Sequence, residues 1–201
     1  MNRYILILLS VVLIQYCAEA QEVVSRNNDG LYITKYKNPF PEFSISPYGG
    51  AIFPTGVLND NYKPSPTFGM DLGYRVNKEV GLYAKLGYVK LNSKTDGIAD
   101  ANYFEFTIGP RYYFSKEDLK SNIFLEGGIG AFTFSRNTLT IGSSEILGSS
   151  NTRMGMNGGI GATMALTDKV RILVKSKYTM IFTPTGSDNF VTVGGGLEFI
   201  F

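Results

Sequence analysis

Histidine and tryptophan are absent from the 201-residue sequence, and cysteine occurs only once. Without histidine, catalysis by a Ser-His-Asp or Cys-His arrangement is excluded, and so are the usual zinc sites. An excess of charge is also absent, because 19 basic residues face 17 acidic ones and no lysine or arginine cluster stands out. This balance gives no reason to expect a nucleic-acid partner. We therefore expect no enzyme activity, no metal and no cofactor.

Long apolar runs are missing as well, except for Ile5–Ile14 near the amino terminus. This run is too short to cross a bilayer as a helix. One arginine precedes it and Ala18-Glu19-Ala20 follows it, which is the pattern of a cleaved secretory signal peptide. Residues 1–20 are thus predicted to be removed, and Cys17 with them, leaving no disulfide or thiol chemistry. An exported chain of this kind can cross a membrane only as strands.

Residues 21–42 are polar and contain several turn-forming residues, including Asn27-Asn28-Asp29-Gly30 and two prolines. Such segments are usually poorly ordered. We expect a flexible or loosely docked periplasmic leader here, followed by one domain over residues 43–201.

Apolar and polar residues alternate in eight segments from Phe43 onward. Successive side chains of a strand point to opposite faces, so this alternation predicts strands with one apolar and one polar face. The predicted strands are Phe43–Phe53, Thr67–Val76, Val80–Leu91, Tyr103–Phe114, Asn122–Phe134, Arg153–Leu166, Lys169–Phe182 and Phe190–Phe201.

The predicted connections alternate between long and short, with Asn77-Lys78-Glu79 and Thr167-Asp168 among the shortest. This order is typical of an up-and-down barrel with loops at one rim and turns at the other. An even strand count places both termini at the short-turn rim, so the long loops would lie outside the cell. The longest, Ser135–Thr152, has the composition of a surface loop, either functionally neutral or bound to an unknown partner. Thr183–Asn189 is predicted to be a medium-length connection.

The polar face combines glycines with ten charged residues, which we interpret as a network inside the lumen. They are Asp71, Arg75, Lys85, Glu105, Arg111, Glu126, Arg171, Lys175, Lys177 and Glu198. Glycine weakens a solvent-exposed strand but fits a narrow lumen, where it leaves room for long charged side chains. Glu105 and Glu126 could form a carboxylate pair, but pairing with Lys85 and Arg111 is the better interpretation because buried charges normally exist in pairs.

The apolar face favours a membrane over a soluble core. Leu82, Ile172 and Leu197 are expected to face outward, and aromatic residues concentrate near strand ends, as at the two interfaces of a bilayer. Four tyrosines are predicted to place their hydroxyls at the headgroups: Tyr74, Tyr88, Tyr112 and Tyr178. In a soluble core each hydroxyl would need a buried partner.

From Phe43 to Phe201 the chain resembles the eight-stranded outer-membrane barrels of the OmpA/OmpX type, also grouped as opacity-type outer-membrane β-barrel domains. The resemblance rests on strand count, loop alternation and the ending Gly196-Leu-Glu-Phe199-Ile-Phe201. It implies a bacterial outer-membrane location and contact with outer-membrane lipid. It also implies recognition of Gly196, Phe199 and Phe201 by the barrel-assembly machinery. We expect no peptidoglycan-binding domain after Phe201 and therefore no role in periplasmic anchoring.

The predicted fold is therefore all-β, a closed up-and-down antiparallel eight-stranded transmembrane β-barrel, and we expect a monomer. The leading hypothesis for function is a structural or surface-interaction role. The first alternative is a small-solute channel, which would be narrow because an eight-stranded interior is just wide enough for side chains to fill. It would prefer anions weakly, because six of the ten predicted lumen charges are basic and four are acidic. The second is a soluble, lipocalin-like barrel that holds an apolar ligand.

Overall fold

The computed structural model describes residues 40–95, 99–115, 121–136, 138–141 and 144–201. The predicted signal peptide over residues 1–20, and the leader up to residue 39, lie outside these residues. Ten strands and one short helix, α1 (Val57–Asn61), follow in the described chain. The strands are β1 (Glu42–Thr55), β2 (Ser65–Arg75), β3 (Val80–Leu91), β4 (Ala101–Ser115), β5 (Ser121–Arg136), β6 (Leu139–Ile141), β7 (Ser144–Ile146), β8 (Ser149–Ala165), β9 (Val170–Thr183) and β10 (Gly186–Ile200).

Eight of the strands form a closed barrel in the order β1-β10-β9-β8-β5-β4-β3-β2. All neighbours pair antiparallel, and the first strand closes on the last, with Ser44 opposite Ile200 and Phe53 opposite Val191. The remaining two strands, β6 and β7, pair with each other and, among the described strands, with no other. The prediction of a closed, up-and-down, eight-stranded barrel is confirmed.

The barrel has two different ends. At the short-turn end, residues 76–79 connect β2 to β3 and residues 166–169 connect β8 to β9. β1 begins at this end and β10 ends there. At the opposite, long-loop end, residues 56–64 connect β1 to β2, β3 ends at Leu91 and β4 begins at Ala101, and β6 and β7 lie between β5 and β8 in the sequence.

The predicted connection Thr183–Asn189 is wrong, because β9 ends at Thr183 and β10 already begins at Gly186. Only Pro184 and Thr185 remain between the two strands. Gly186 has a φ of 155°, within the positive-φ region that favours glycine, and this allows the chain to reverse tightly.

The predicted loop Ser135–Thr152 is also wrong over much of its length. β5 continues to Arg136 and β8 begins at Ser149, so the barrel wall extends beyond the predicted strands. Polar side chains pair across this extension, with 2.9 Å between the hydroxyls of Thr133 and Thr152. A wall that projects into water has no need of an apolar face, and its composition therefore resembles that of a loop.

The outer wall is apolar. Leu82 and Leu197 are 45% and 41% exposed, and Ile172 is partly exposed on the same outer face of β9. Other exposed apolar side chains of the wall include Leu86, Phe106, Ile108, Ile129, Ile160, Val174 and Val193. Monomeric water-soluble proteins rarely expose a continuous apolar surface of this extent. Among the described residues, no helix is long and apolar enough to cross a membrane.

The predicted interface tyrosines also lie on the outer wall. Tyr74 and Tyr112 are exposed near the short-turn end, and Tyr88 is partly exposed near the long-loop end, 5.1 Å from Phe68 between ring centroids. Tyr178 is exposed five residues before the end of β9. At the closing seam, the Phe201 amide donates to the Phe43 carbonyl at 3.0 Å, and the two rings lie 6.2 Å apart.

Candidate functional site

The barrel interior is filled in layers along its axis. All ten charged residues of the predicted lumen network are buried inside the barrel, none more than 7% exposed. Most lie in the middle of the barrel, and a smaller group lies at the short-turn end. Apolar side chains fill the interior near the long-loop end. The interior is therefore charged in the middle and at the short-turn end, and apolar near the long-loop end.

Glu105 holds one part of the middle layer. Its carboxylate forms ion pairs with Lys85 at 2.9 Å and with Lys177 at 2.5 Å. All three side chains are 2% exposed or less. Because one carboxylate serves two ammonium groups, each of the three depends on the others for compensation of its buried charge.

Asp71 and Arg111 hold the other part of the middle layer. Asp71 accepts from Lys175 at 2.5 Å and from Arg111 at 3.0 Å, and Arg111 also donates to Glu126 at 2.6 Å. The Arg111 guanidinium lies 4.3 Å from the centroid of the Phe124 ring. Glu105 and Glu126 thus each contact cations, in agreement with the predicted pairing with Lys85 and Arg111.

A separate cluster lies at the short-turn end. Arg171 donates to both carboxylate oxygens of Glu42, at 2.7 and 2.9 Å, and to Glu198 at 3.4 Å. Arg75 donates to Asn122 at 3.3 Å and to backbone carbonyls of the 76–79 turn. Glu42 falls in the predicted leader, but it is the first residue of β1 and a member of this cluster.

Aromatic rings share the interior with the charges. Each ring occupies space that a β-carbon on a glycine of a nearby strand would enter. The pairs are Tyr48 with Gly69 and Gly87, Tyr83 with Gly128, Tyr113 with Gly81, Phe124 with Gly161, and Phe132 with Gly155. The prediction that glycines make room for charged side chains holds at Gly87, where a β-carbon would also lie 3.2 Å from Glu105 Oε2 and 3.3 Å from Lys85 Cε, whereas the other glycines of these pairs make room for rings.

Near the long-loop end the interior becomes apolar. We call this cluster the apolar plug, and it consists of Ile52, Leu58, Tyr62, Val89, Leu91, Ala101, Tyr103, Phe132, Ile181 and Phe190. Tyr103, Phe132, Ile181 and Phe190 are fully buried. Leu58 and Tyr62 come from α1 and the residue that follows it, so the 56–64 connection folds inward and completes the plug.

A cavity of about 520 Å³ opens above the plug. We call it the vestibule, and its main lining residues are Leu58, Tyr62, Phe134, Arg136, Arg153 and Asp188. Asp188 accepts a hydrogen bond from the Tyr103 hydroxyl at 2.6 Å and lies 3.5 Å from Arg153. Burial raises the pKa of Tyr62 above its ordinary value, so its hydroxyl remains protonated at neutral pH.

A second concavity, of about 870 Å³, lies on the outer wall and not in the interior. Leu82, Ala84, Pro110, Ile129 and Met156 line it, with backbone of several glycines. It is a depression in the apolar wall where small residues replace large ones. Among the described residues, no group of three or more acidic, cysteine or histidine side chains is placed to hold a metal ion.

The sequence matches the model of a known protein family, the outer membrane protein beta-barrel domain, over residues 8–201. The chain belongs to this family. It is therefore a protein of the bacterial outer membrane, as predicted. The alternative of a soluble, lipocalin-like barrel is wrong, because such a barrel has an apolar interior and a polar exterior, the reverse of what the structure shows.

Solved structures of outer-membrane barrels share the fold. Neisserial surface protein A is 17% identical with a TM-score of 0.59, over 79% of this chain and 97% of that one. A major outer membrane protein from Thermus thermophilus is 12% identical with a TM-score of 0.57, over 80% and 99%. The N-terminal β-barrel domain of Pseudomonas aeruginosa OprF is 13% identical with a TM-score of 0.53, over 80% and 98%. No curated protein matches the sequence.

Sequence reasoning does not identify the plug or the vestibule. It places Tyr103, Phe132 and Phe190 in strands without a role, and it assigns Arg136 to a loop. The signal that could have found them is parity: each lies an even number of residues from an inward-facing position of its own strand. Arg136, for example, lies ten residues after Glu126 in β5.

Proposed function

We propose that the protein is a closed, non-conducting outer-membrane barrel whose long-loop end faces outside the cell as a contact surface. The observation that carries this proposal is the filled interior, in which an ion-paired layer and an apolar plug lie one behind the other. Support for the orientation comes from the family pattern of short periplasmic turns and longer extracellular loops.

The plug is the stronger of the two barriers. An ion that crossed it would leave water without finding a polar partner among Phe132, Ile181 and Phe190. Moving an unpaired charge into such surroundings costs far more than thermal energy provides. This argues against the alternative of a small-solute channel in the conformation seen here.

The charged layer would give any residual leak of ions through the barrel a weak charge preference. Six basic residues face five carboxylates inside the barrel once Glu42 is included, so the excess of positive charge is smaller than the sequence suggested. A leak would therefore prefer anions only slightly.

The remaining roles follow from the same surfaces. The apolar wall, with its outer depression, would be covered by lipid acyl chains, and the four exposed or partly exposed tyrosines would meet the headgroups. Gly196, Phe199 and Phe201 would serve the assembly machinery. We further propose a monomer without enzymatic activity, in keeping with the absence of histidine and the ion-paired state of the interior carboxylates.

Liposome swelling tests the proposal. Proteoliposomes that contain the refolded protein should swell in small neutral sugars no faster than protein-free liposomes, whereas a porin reconstituted in parallel should permit rapid swelling. Sugar-dependent swelling that scales with the amount of barrel would contradict the closed interior and favour the channel.

A further inference from the structure

The vestibule is a blind bowl within the wall of the barrel. Arg136, Arg153 and Asp188 belong to β5, β8 and β10, and Phe134 packs against the buried Tyr103 of the plug at 5.0 Å between ring centroids. The apolar plug closes the bowl below. Strand ends line one side of it, and α1 together with Pro184 and Thr185 lines the other, so it opens at the long-loop end, where a water-soluble molecule can enter.

The charge of the vestibule is unbalanced. Two guanidinium groups, Arg136 and Arg153, face one carboxylate, Asp188. Asp188 is already engaged by the Tyr103 hydroxyl and by Arg153. Arg136 lies 5.8 Å from the Phe134 ring centroid, and no carboxylate among the side chains that the structure describes forms an ion pair with it.

The walls of the vestibule also offer apolar surface. Leu58 and Phe134 line the cavity together with the two arginines, and the Tyr62 hydroxyl interacts with Arg136. The cavity volume of about 520 Å³ falls in the range of small-molecule sites. A ligand that fits this lining carries one negative charge next to an apolar ring.

We propose that the vestibule binds a small water-soluble organic anion, a carboxylate attached to a ring structure, with Arg136 as the residue that selects for charge. The proposed role of this site rests on the proposed function, in which the long-loop end faces outside. The chemistry that Arg136 recognises is the carboxylate, while Phe134 and Leu58 contact the ring.

Titration calorimetry on the full barrel in nanodiscs of zwitterionic lipid tests the site. The probes are phenyl glucuronide, which carries a carboxylate and two rings, and phenyl glucoside, its neutral counterpart. We expect the glucuronide to bind up to about fivefold more tightly than the glucoside, the upper end of the range of an exposed ion pair. Equal affinities for the two probes, or binding of neither, would overturn the proposal.

Three variants separate a specific site from general effects. Arg136→Gln should weaken glucuronide binding by up to about fivefold, and Lys90→Gln, on the outer face of β3 at the same end, should leave it unchanged. Asp188→Asn should tighten binding, because it removes a repulsive charge and keeps an acceptor for Tyr103. A misfolded variant would bind the glucuronide less tightly, so misfolding cannot produce this gain in affinity. Unchanged or weaker binding by Asp188→Asn, or unchanged binding by Arg136→Gln, would contradict the assignment.

The outcome does not depend on the orientation of the barrel, since both ends of a nanodisc are open to the probe. A failure to bind would therefore overturn the site and leave the closed-barrel proposal standing. Conversely, binding combined with rapid liposome swelling would support the site and contradict the closed interior.

Discussion

Replacement of Glu105 by glutamine should destabilise the barrel strongly. The Glu105 carboxylate lies between the ammonium groups of Lys85 and Lys177, and all three side chains are shielded from water. Removing one partner of a buried ion pair costs about 3–5 kcal/mol. Glutamine retains one acceptor oxygen for one of the two lysines, so we expect a loss of about 3 kcal/mol in the free energy of unfolding, more than a hundredfold in the unfolding constant.

Urea unfolding in lipid bilayers, followed by circular dichroism, measures this loss, since the chain contains no tryptophan for fluorescence. The matched control is Glu79→Gln, which makes the same chemical change at an exposed turn and should stay within about 0.5 kcal/mol of the unmodified protein. Combining Glu105→Gln with Lys177→Gln should cost less than the sum of the two single changes, because the two side chains are in contact.

A loss below about 1 kcal/mol for Glu105→Gln would refute this reasoning. Water would then solvate the ammonium groups of Lys85 and Lys177 in the variant, and the interior would be hydrated instead of filled by side chains. Strict additivity of Glu105→Gln and Lys177→Gln would point the same way.

Two further predictions concern packing and assembly. Gly161→Ala should destabilise the barrel by about 1–3 kcal/mol in urea unfolding, because its β-carbon would lie 2.8 Å from two carbons of the Phe124 ring. The control is Gly158→Ala, whose β-carbon meets only a carbonyl at 4.0 Å and which should be nearly neutral. Equal losses of stability for the two variants would count against the ring–glycine pairing. Deletion of Phe201 should lower the yield in the outer-membrane fraction, because it removes the closing contact with Phe43 and the proposed assembly signal, whereas Phe201→Tyr should keep a normal yield. An undiminished yield of the truncated protein would contradict the second prediction.

The middle of the barrel could be predicted from the sequence because two different environments meet there. The outer face must be apolar and the inner face is charged, so alternation assigns Lys85 and Glu105 inward and Leu82 and Leu86 outward without ambiguity. The identity of the ion pairs followed less directly, since Lys175 and Lys177 contact acidic residues of distant strands and only the closed geometry brings them together.

The long-loop end could not be predicted in the same way. Inside the barrel, Phe132 and Phe190 form an apolar plug, so the inner and outer faces carry the same kind of residue and the alternation disappears. Nearer the rim, Thr133 and Thr152 pair on an outer face that is polar, which sequence composition alone does not separate from a loop. The vestibule lies between the apolar plug and the rim of this wall, so alternation does not identify its lining residues.

Glu42 escapes sequence reasoning for a different reason. It follows two prolines in a polar segment, and a single carboxylate at a strand boundary produces no periodic signal. Its role depends on Arg171, which is far away in the sequence but adjacent in the barrel because β1 closes on β10 and β10 pairs with β9.

The most direct test of the central claim, a closed interior, is the ion conductance of the purified protein in planar lipid bilayers. We predict no discrete conductance steps for the unmodified barrel, and measurable steps after the plug is opened by Phe132→Ala combined with Phe190→Ala. Sustained conductance by the unmodified barrel, above all with strong cation selectivity, would contradict the account.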